Sequence, residues 1–294
     1  MQATDTHLFD RWDKLVSFYR SSRRRWKGWA FRGHASAKWT LASSLERAAV
    51  ERFRLSLAVL PELERKLLRD FQRQAHHLIQ GVPDFKDRLG WLALMQHHGA
   101  PTRLLDWTYS FYAAAFFAIE KARPEDTCTV WAIDYGWCRA RIRAAARKQL
   151  GKSIPRKMED LLWLQPSIPG VYPVNPFRLN QRLITQQGVF IAPGDITMSF
   201  ADNLTAMGPP RRRSPLRRLN IRCTSRFLRD AFDDLRRMNV TSAALFPGLD
   251  GFARHLETMI PVIHEIPDDD SPSFPNSLPN KRLQPTGRDI QGSH

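Results

Sequence analysis

The stretch Gln96–Thr108, QHHGAPTRLLDWT, lies between two apolar helical patterns and carries far more polar and breaker residues than a connection requires. A helix–loop–helix joint needs only a glycine stop and a polar cap. Here Gly99, with Pro101 just beyond it, ends the upstream helix RLGWLALMQHH. Pro101 then sets the chain direction, and Leu104 and Leu105 turn into the core. Downstream, SFYAAAFFAIEKA is apolar almost all round and reads as a buried helix, with Asp106 or Thr108 as its N-cap. The same residues admit a second reading, in which Arg103 and Asp106 form a polar pair lining a pocket walled by Trp107. His97 and His98 end the first helix, where cationic side chains meet the negative end of the dipole. Neighbours on a helix point about 100° apart, so one of the two faces a shared site, and His97 is the candidate.

Outward from this stretch the patterning alternates. Leu8, Trp12, Leu15, Val16 and Tyr19 recur at helical spacing and predict an opening amphipathic helix. WAFRG predicts a short strand ending at Gly33. PELERKLLRDFQRQAHHLI predicts a helix with Leu63, Leu67, Phe71 and Leu78 on one face and Pro61 in its first turn. Further on, TCTVWAID predicts an interior strand, and Trp137–Leu150 a very basic helix. RLITQQGVFIAP has strand character on both sides of Gly188, with a bulge or tight hairpin between. RRLNIRC predicts a strand, SRFLRDAFDDLRRM a helix capped by Ser225, and FPGLDGFARHLETM closes the globular part. From Pro267 the composition turns to Pro, Ser, Asn and Gly with few apolar residues, which predicts a disordered tail. MGPPRRRSPLRR reads as a mobile basic loop. Strands and helices mix without a regular βαβ rhythm, which predicts an α+β fold: a single globular domain of mixed sheet packed with helices. Residues 1–28 are then a helix and basic linker, 29–266 the domain, and 267–294 the tail.

The chain has 294 residues, 43% apolar, ample for a core, and a net charge of +16 that comes from arginine. Such a balance favours anionic partners: nucleic acid, nucleotide phosphates or an acidic protein. Three cysteines, Cys128, Cys138 and Cys223, are widely spaced in sequence and suit a reducing compartment. The N-terminus lacks a signal-peptide pattern, and the longest apolar stretch is too short to span a bilayer, so the expectation is a soluble, cytoplasmic protein without a membrane partner. No Walker-type loop and no GxGxxG after a strand is present, and no Cys/His/Asp set has zinc spacing.

Four pieces in order, FRGHASAKWTLASSLER, WLALMQHHGAPTRLLDWT, NQRLITQQGVF and VTSAALFPGLDGFARHL, resemble the FRG domain, a bacterial and phage family named for its Phe-Arg-Gly motif. The likeness runs from about Trp29 to about Leu256. It implies a mobile-element or defence setting, in which a toxin-like effector is one role. Phe31-Arg32-Gly33 is also similar to the strand that opens the nucleotide site of ADP-ribosyltransferases. That similarity implies an NAD-type ligand, with Arg32 forked onto phosphate or ribose phosphate and Gly33 letting the ligand approach the backbone. Where those transferases carry a catalytic glutamate this chain has TQQGVF, with Gln186 and Gln187, so Asp106 or Glu46 must supply the charge. Gln187 at the Gly188 bend, Arg182, Arg103, His97 and Thr108 complete the candidate site. Against this stands internal pairing of Arg32 with Asp106 or Glu46. A reading from another class is a non-catalytic nucleic-acid or protein-binding module driven by Arg23–Arg25, Arg211–Arg213 and Arg217–Arg218. Those clusters carry no aromatic–basic alternation, zinc finger or RNA-binding signature.

Overall fold

The computed structural model describes residues 5–21, 26–176, 181–210 and 214–263. Strand β1 (Asp5–Phe9) leads into helix α1 (Trp12–Ser21), and β2 (Trp29–His34) into a short α2 (Ser44–Glu46) that continues as a π-helical stretch, Arg47–Arg52. Then come α3 (Leu60–Leu78), α4 (Arg88–His97), β3 (Leu105–Thr108), α5 (Phe111–Ile119) and β4 (Thr127–Asp134). Next are α6 (Tyr135–Leu150), α7 (Met158–Leu162), β5 (Val171–Val174), α8 (Gln181–Thr185), β6 (Gly188–Pro193) and α9 (Phe200–Ala206). β7 (Leu216–Arg222), α10 (Ser225–Arg237), α11 (Ser242–Leu245) and α12 (Leu249–Ile263) close the described chain.

The strands form one mixed sheet in the order β1-β7-β4-β2-β3-β6-β5, the α+β architecture expected. The β1–β7 pair is parallel and the others are antiparallel. Alternating side chains feed two cores. Phe31, Val130, Ala132, Leu219 and Ile221 pack against α1, α5 and α10, whereas Ala30, Ile133 and Leu216 join α3, α4, α6 and α7. Helix α5 buries seven of its nine residues, as its all-round apolarity predicts. It lies so close to β2 that a Cβ on Gly33 would stand 2.2 Å from the Ala114 carbonyl oxygen and 2.5 Å from the Ala118 nitrogen. Gly33 is therefore demanded by helix–sheet packing.

Several expectations need correction. Leu8 belongs to β1, where it is 58% exposed, so the opening segment joins the sheet before its helix begins at Trp12. Helix α3 turns Leu60, Glu64, Leu68 and Ala75 inward and leaves Leu78 79% exposed. Residues 181–185 are helical, and only GVFIAP is strand. Gln187 makes the turn between them in the left-handed region, at φ 49°. Thr224, one residue ahead of the expected Ser225, caps α10. Asp106 and Thr108 lie within strand β3, and Ser110 caps α5 by accepting from the Ala113 N–H. Arg217 and Arg218 belong to β7, not to a loop. Arg217 covers Trp26 and Trp29, each at 5.4 Å, and Arg218 covers Trp131 at 5.1 Å. Arg23–Arg25, Arg211–Arg213 and the tail from residue 267 lie outside the described residues.

Candidate functional site

Helix α4 ends where its glycine predicts: Gly99 takes a φ of 80° and Ala100 N–H bonds back to the Met95 carbonyl. From that end Gln96 stitches the crowded stretch together. Its Nε2 donates to the Asp106 carboxylate at 2.9 Å and to the Leu104 carbonyl at 3.3 Å, while its Oε1 accepts from the Thr102 hydroxyl at 2.5 Å. Thr108, fully inside, donates to the Gln186 carbonyl at 2.6 Å and accepts from the Ser110 N–H. Gln186 in turn donates from Nε2 to the Leu245 carbonyl. These bonds fix the loop and tie it to α8 and α11.

Strands β2 and β3 pair only at Phe31 and Thr108 and then separate. The Arg32 guanidinium spans the gap: Nη1 donates to the main-chain carbonyl of Asp106 at 2.5 Å, and Nε to His34 Nε2 at 2.9 Å. The other ring nitrogen, Nδ1, faces the Trp131 indole N–H at 3.3 Å. Burial, reinforced by Arg32, Arg47 and Arg218, holds the His34 pKa down at about 3, so the ring is neutral. Burial likewise lowers the Arg32 pKa, opposed by the charge of Asp106. Thus both acceptors of Arg32 are neutral groups, and Nη2 has no hydrogen-bond partner among the described residues.

Beside Arg32 is a cavity of about 160 Å³, walled by Asp106, Trp107, Thr108, Phe117, Gln186 and Phe246. Asp106 and Gln186 also line a recess of about 40 Å³ that His97 and Gln96 reach from α4. The indole N–H of Trp107 is buried and has no hydrogen-bond partner among the described residues. The cleft therefore offers an under-bonded cation, a carboxylate held by an amide, and aromatic walls. Among the described residues no cluster of His, Cys, Asp and Glu suits a metal ion, and no helix is long and apolar enough to cross a membrane.

Arg32, Gly33, Asp106 and Thr108 thus line one cavity, and His97 lines the recess that shares Asp106 and Gln186 with it. Arg103 does not join them. Its guanidinium forks onto Glu64, Nε to Oε1 at 2.6 Å and Nη2 to Oε2 at 2.5 Å, and lies 5.0 Å from the Trp163 ring. Glu46 caps inward at α2 instead, its carboxyl pushed up by burial and by Glu51 and Asp202, and it is absent from the cleft lining. Gln187 is exposed at its turn, and Gln186 lines the cleft in its place. The Arg182 side chain lies outside the described residues. Sequence reading passed over His34, although a residue two after Arg32 in a strand shares its face. It also passed over Glu64, although a glutamate four residues from both Leu60 and Leu68 on an apolar helix face signals a buried pair.

The fold and cleft describe an α+β domain with a pocket lined by Arg32 and Asp106 where its two motif strands part. Residues 27–127, from just ahead of β2 to the first residue of β4, match the family model of the FRG domain, so this segment of the chain carries an FRG domain. The two later resemblance pieces, at α8–β6 and α11–α12, fall beyond the matched residues. No curated protein and no solved structure gave a match.

Proposed function

We propose that the cleft binds a phosphate-bearing nucleotide of the NAD type and works as an ADP-ribosyltransferase-like site. One observation carries this reading: Arg32 is a partly buried guanidinium held only by neutral acceptors, with Nη2 free to donate. A buried cation without an anionic hydrogen-bond partner is costly, and a phosphate oxygen is the complement its geometry suits. Asp106, oriented by Gln96, is the carboxylate positioned to stabilise positive charge developing on the ribose during transfer. His97, Thr108 and Gln186 shape the walls. Arg103 takes no part, since Glu64 already fills its fork.

Calorimetric titration with NAD and ADP-ribose tests the binding, and nicotinamide release tests the chemistry. Arg32→Gln should weaken binding by roughly 10- to 150-fold, the loss of one charge-assisted hydrogen-bonded contact. Asp106→Asn should bind normally and release no nicotinamide. Wild-type protein that binds neither ligand, or an Arg32→Gln variant that binds as wild type, overturns the nucleotide site. Equal nicotinamide release by Asp106→Asn and wild type overturns the role of the carboxylate.

A further inference from the structure

Helix α12 is apolar on two opposite sides. On the inner side Gly251 and Thr258 are buried, Val262 packs on the core, and Arg254 lies 4.2 Å from the Phe246 ring. At about 100° per residue, Leu249, Phe252, Leu256, Ile260 and Ile263 fall within a sector of about 80° on the other side. That sector faces solvent: Leu249 is 79% exposed, Phe252 52%, Leu256 54%, Ile260 65% and Ile263 52%. No charged side chain of α12 falls within it.

An apolar stripe on a helix marks the side that meets protein. The five residues together leave bare about as much surface as three whole side chains, on the order of 600 Å² at about 200 Å² each. The largest apolar patch on an ordinary monomer is about 300–600 Å². Two such faces pressed together bury about 1,200 Å², the lower bound for a specific protein–protein interface. Ala253 and Met259 border the stripe and add to it.

The spacing identifies the partner. Going outward from Leu256, the apolar positions come four and seven residues away on both sides, so the stripe reads the same in either direction along the helix. A second copy turned about a two-fold axis through Leu256 sets Leu249 against the partner's Ile263 and Phe252 against the partner's Ile260. Leu256 then meets itself, which is the self-complementarity an isologous interface requires. Charge favours the same occupant. The chain carries +16 and most of its surface repels a copy, whereas α12 holds two acids, Asp250 and Glu257, against the one arginine.

We infer that the outer stripe of α12 is an interaction surface whose partner is a second copy of this chain, paired antiparallel across Leu256. The stripe points away from Phe246, the cavity wall, so the pairing does not depend on what the cleft binds.

Sedimentation velocity of the full chain over a concentration series tests this, the mass rising from 34.0 kDa to twice that value. Leu256→Glu sets a carboxylate against its own copy at the axis and should weaken association by roughly 30-fold or more. Leu256 is exposed in the single chain, so the circular dichroism spectrum of the variant should match wild type. Leu256→Cys should cross-link to itself with oxidised glutathione as the oxidant. Leu249→Cys should not, but should cross-link to Ile263→Cys when the two proteins are mixed. Wild-type protein that stays monomeric at about 300 μM, as it does if another part of the chain covers the stripe, overturns the inference. So does a dimer that Leu256→Glu leaves intact, and self-cross-linking of Leu249→Cys overturns the antiparallel pairing.

Discussion

Separating Arg103 from Glu64 should cost more than any other single change within the motif QHHGAPTRLLDWT. Both side chains are at least nine-tenths buried, and two short hydrogen bonds join them in a fork. Removing one member leaves the other as an unpaired charge out of water, for which about 3–5 kcal/mol is typical. At about 2–4 °C per kcal/mol, Glu64→Leu or Arg103→Met alone should lower the melting temperature by roughly 6–20 °C. The double variant removes both desolvation penalties and keeps apolar volume against Trp163, so it should recover to within about 1–2 kcal/mol of wild type. Thermal melts followed by circular dichroism, with urea titrations of all four proteins, close the cycle. NAD affinity of the double variant should equal that of wild type. Additive losses, with the double variant worse than either single one, would show that the pair is not a closed unit. Lost NAD affinity in a stably folded double variant would return Arg103 to the ligand site.

Two further outcomes follow from the same geometry. Gly33→Ala forces a Cβ against the hydrogen-bonded backbone of α5, so it should destabilise by about 3 kcal/mol or more; a melting temperature equal to wild type would mean that α5 can retreat from β2. His34 stays neutral in the folded protein down to about pH 3, whereas the unfolded chain protonates near its ordinary 6.5. Its contribution is present above the unfolded value and is lost as pH falls from about 6.5 towards 3, at about 1.4 kcal/mol per pH unit. His34→Gln keeps an acceptor for Arg32 and cannot titrate, so urea midpoints measured between about pH 7 and 4 should fall less steeply than those of wild type; parallel slopes would refute the buried neutral ring.

What the sequence displayed was whatever depends on local patterning. The all-apolar run of α5, the Gly99 stop and the β2 and β4 strands were legible because period and punctuation act over a few residues. Failures arose where a distant partner decided the outcome. Leu8 keeps helical spacing with Trp12, yet pairing with β7 makes it strand. RLIT has β-branched and aliphatic residues suited to a strand, but the chain turns at Gln187, so only the residues after it reach β3. In the site, Arg32 and Asp106 were legible as neighbours, although the bond runs to a main-chain carbonyl and not to the carboxylate. Gln187 for Gln186 is a one-residue error at a left-handed turn, where alternation gives no guide. The row that Arg32, Trp131 and Arg218 form across β2, β4 and β7 could not be read at all, because its members lie on three strands far apart in the chain.

The two arginines of the motif regions show how charge compensation divides support from function. Arg103 has an acid of its own: Glu64 neutralises it, the pair is closed, and no solute is needed to complete it. Arg32 is surrounded by groups that hold it in place without balancing it. A neutral imidazole takes Nε, a carbonyl takes Nη1, and the nearest carboxylate is bonded to Gln96 instead. Were Arg32 purely structural, turning the Asp106 side chain onto it would be the cheap solution, since its main chain is already within hydrogen-bond reach. Gln96 holds that carboxylate away, anchored through Thr102 to α2. The crowding of QHHGAPTRLLDWT then holds the Asp106 carboxylate on Gln96 and off the Arg32 guanidinium, and the nucleotide proposed above would bring the negative charge that Arg32 lacks.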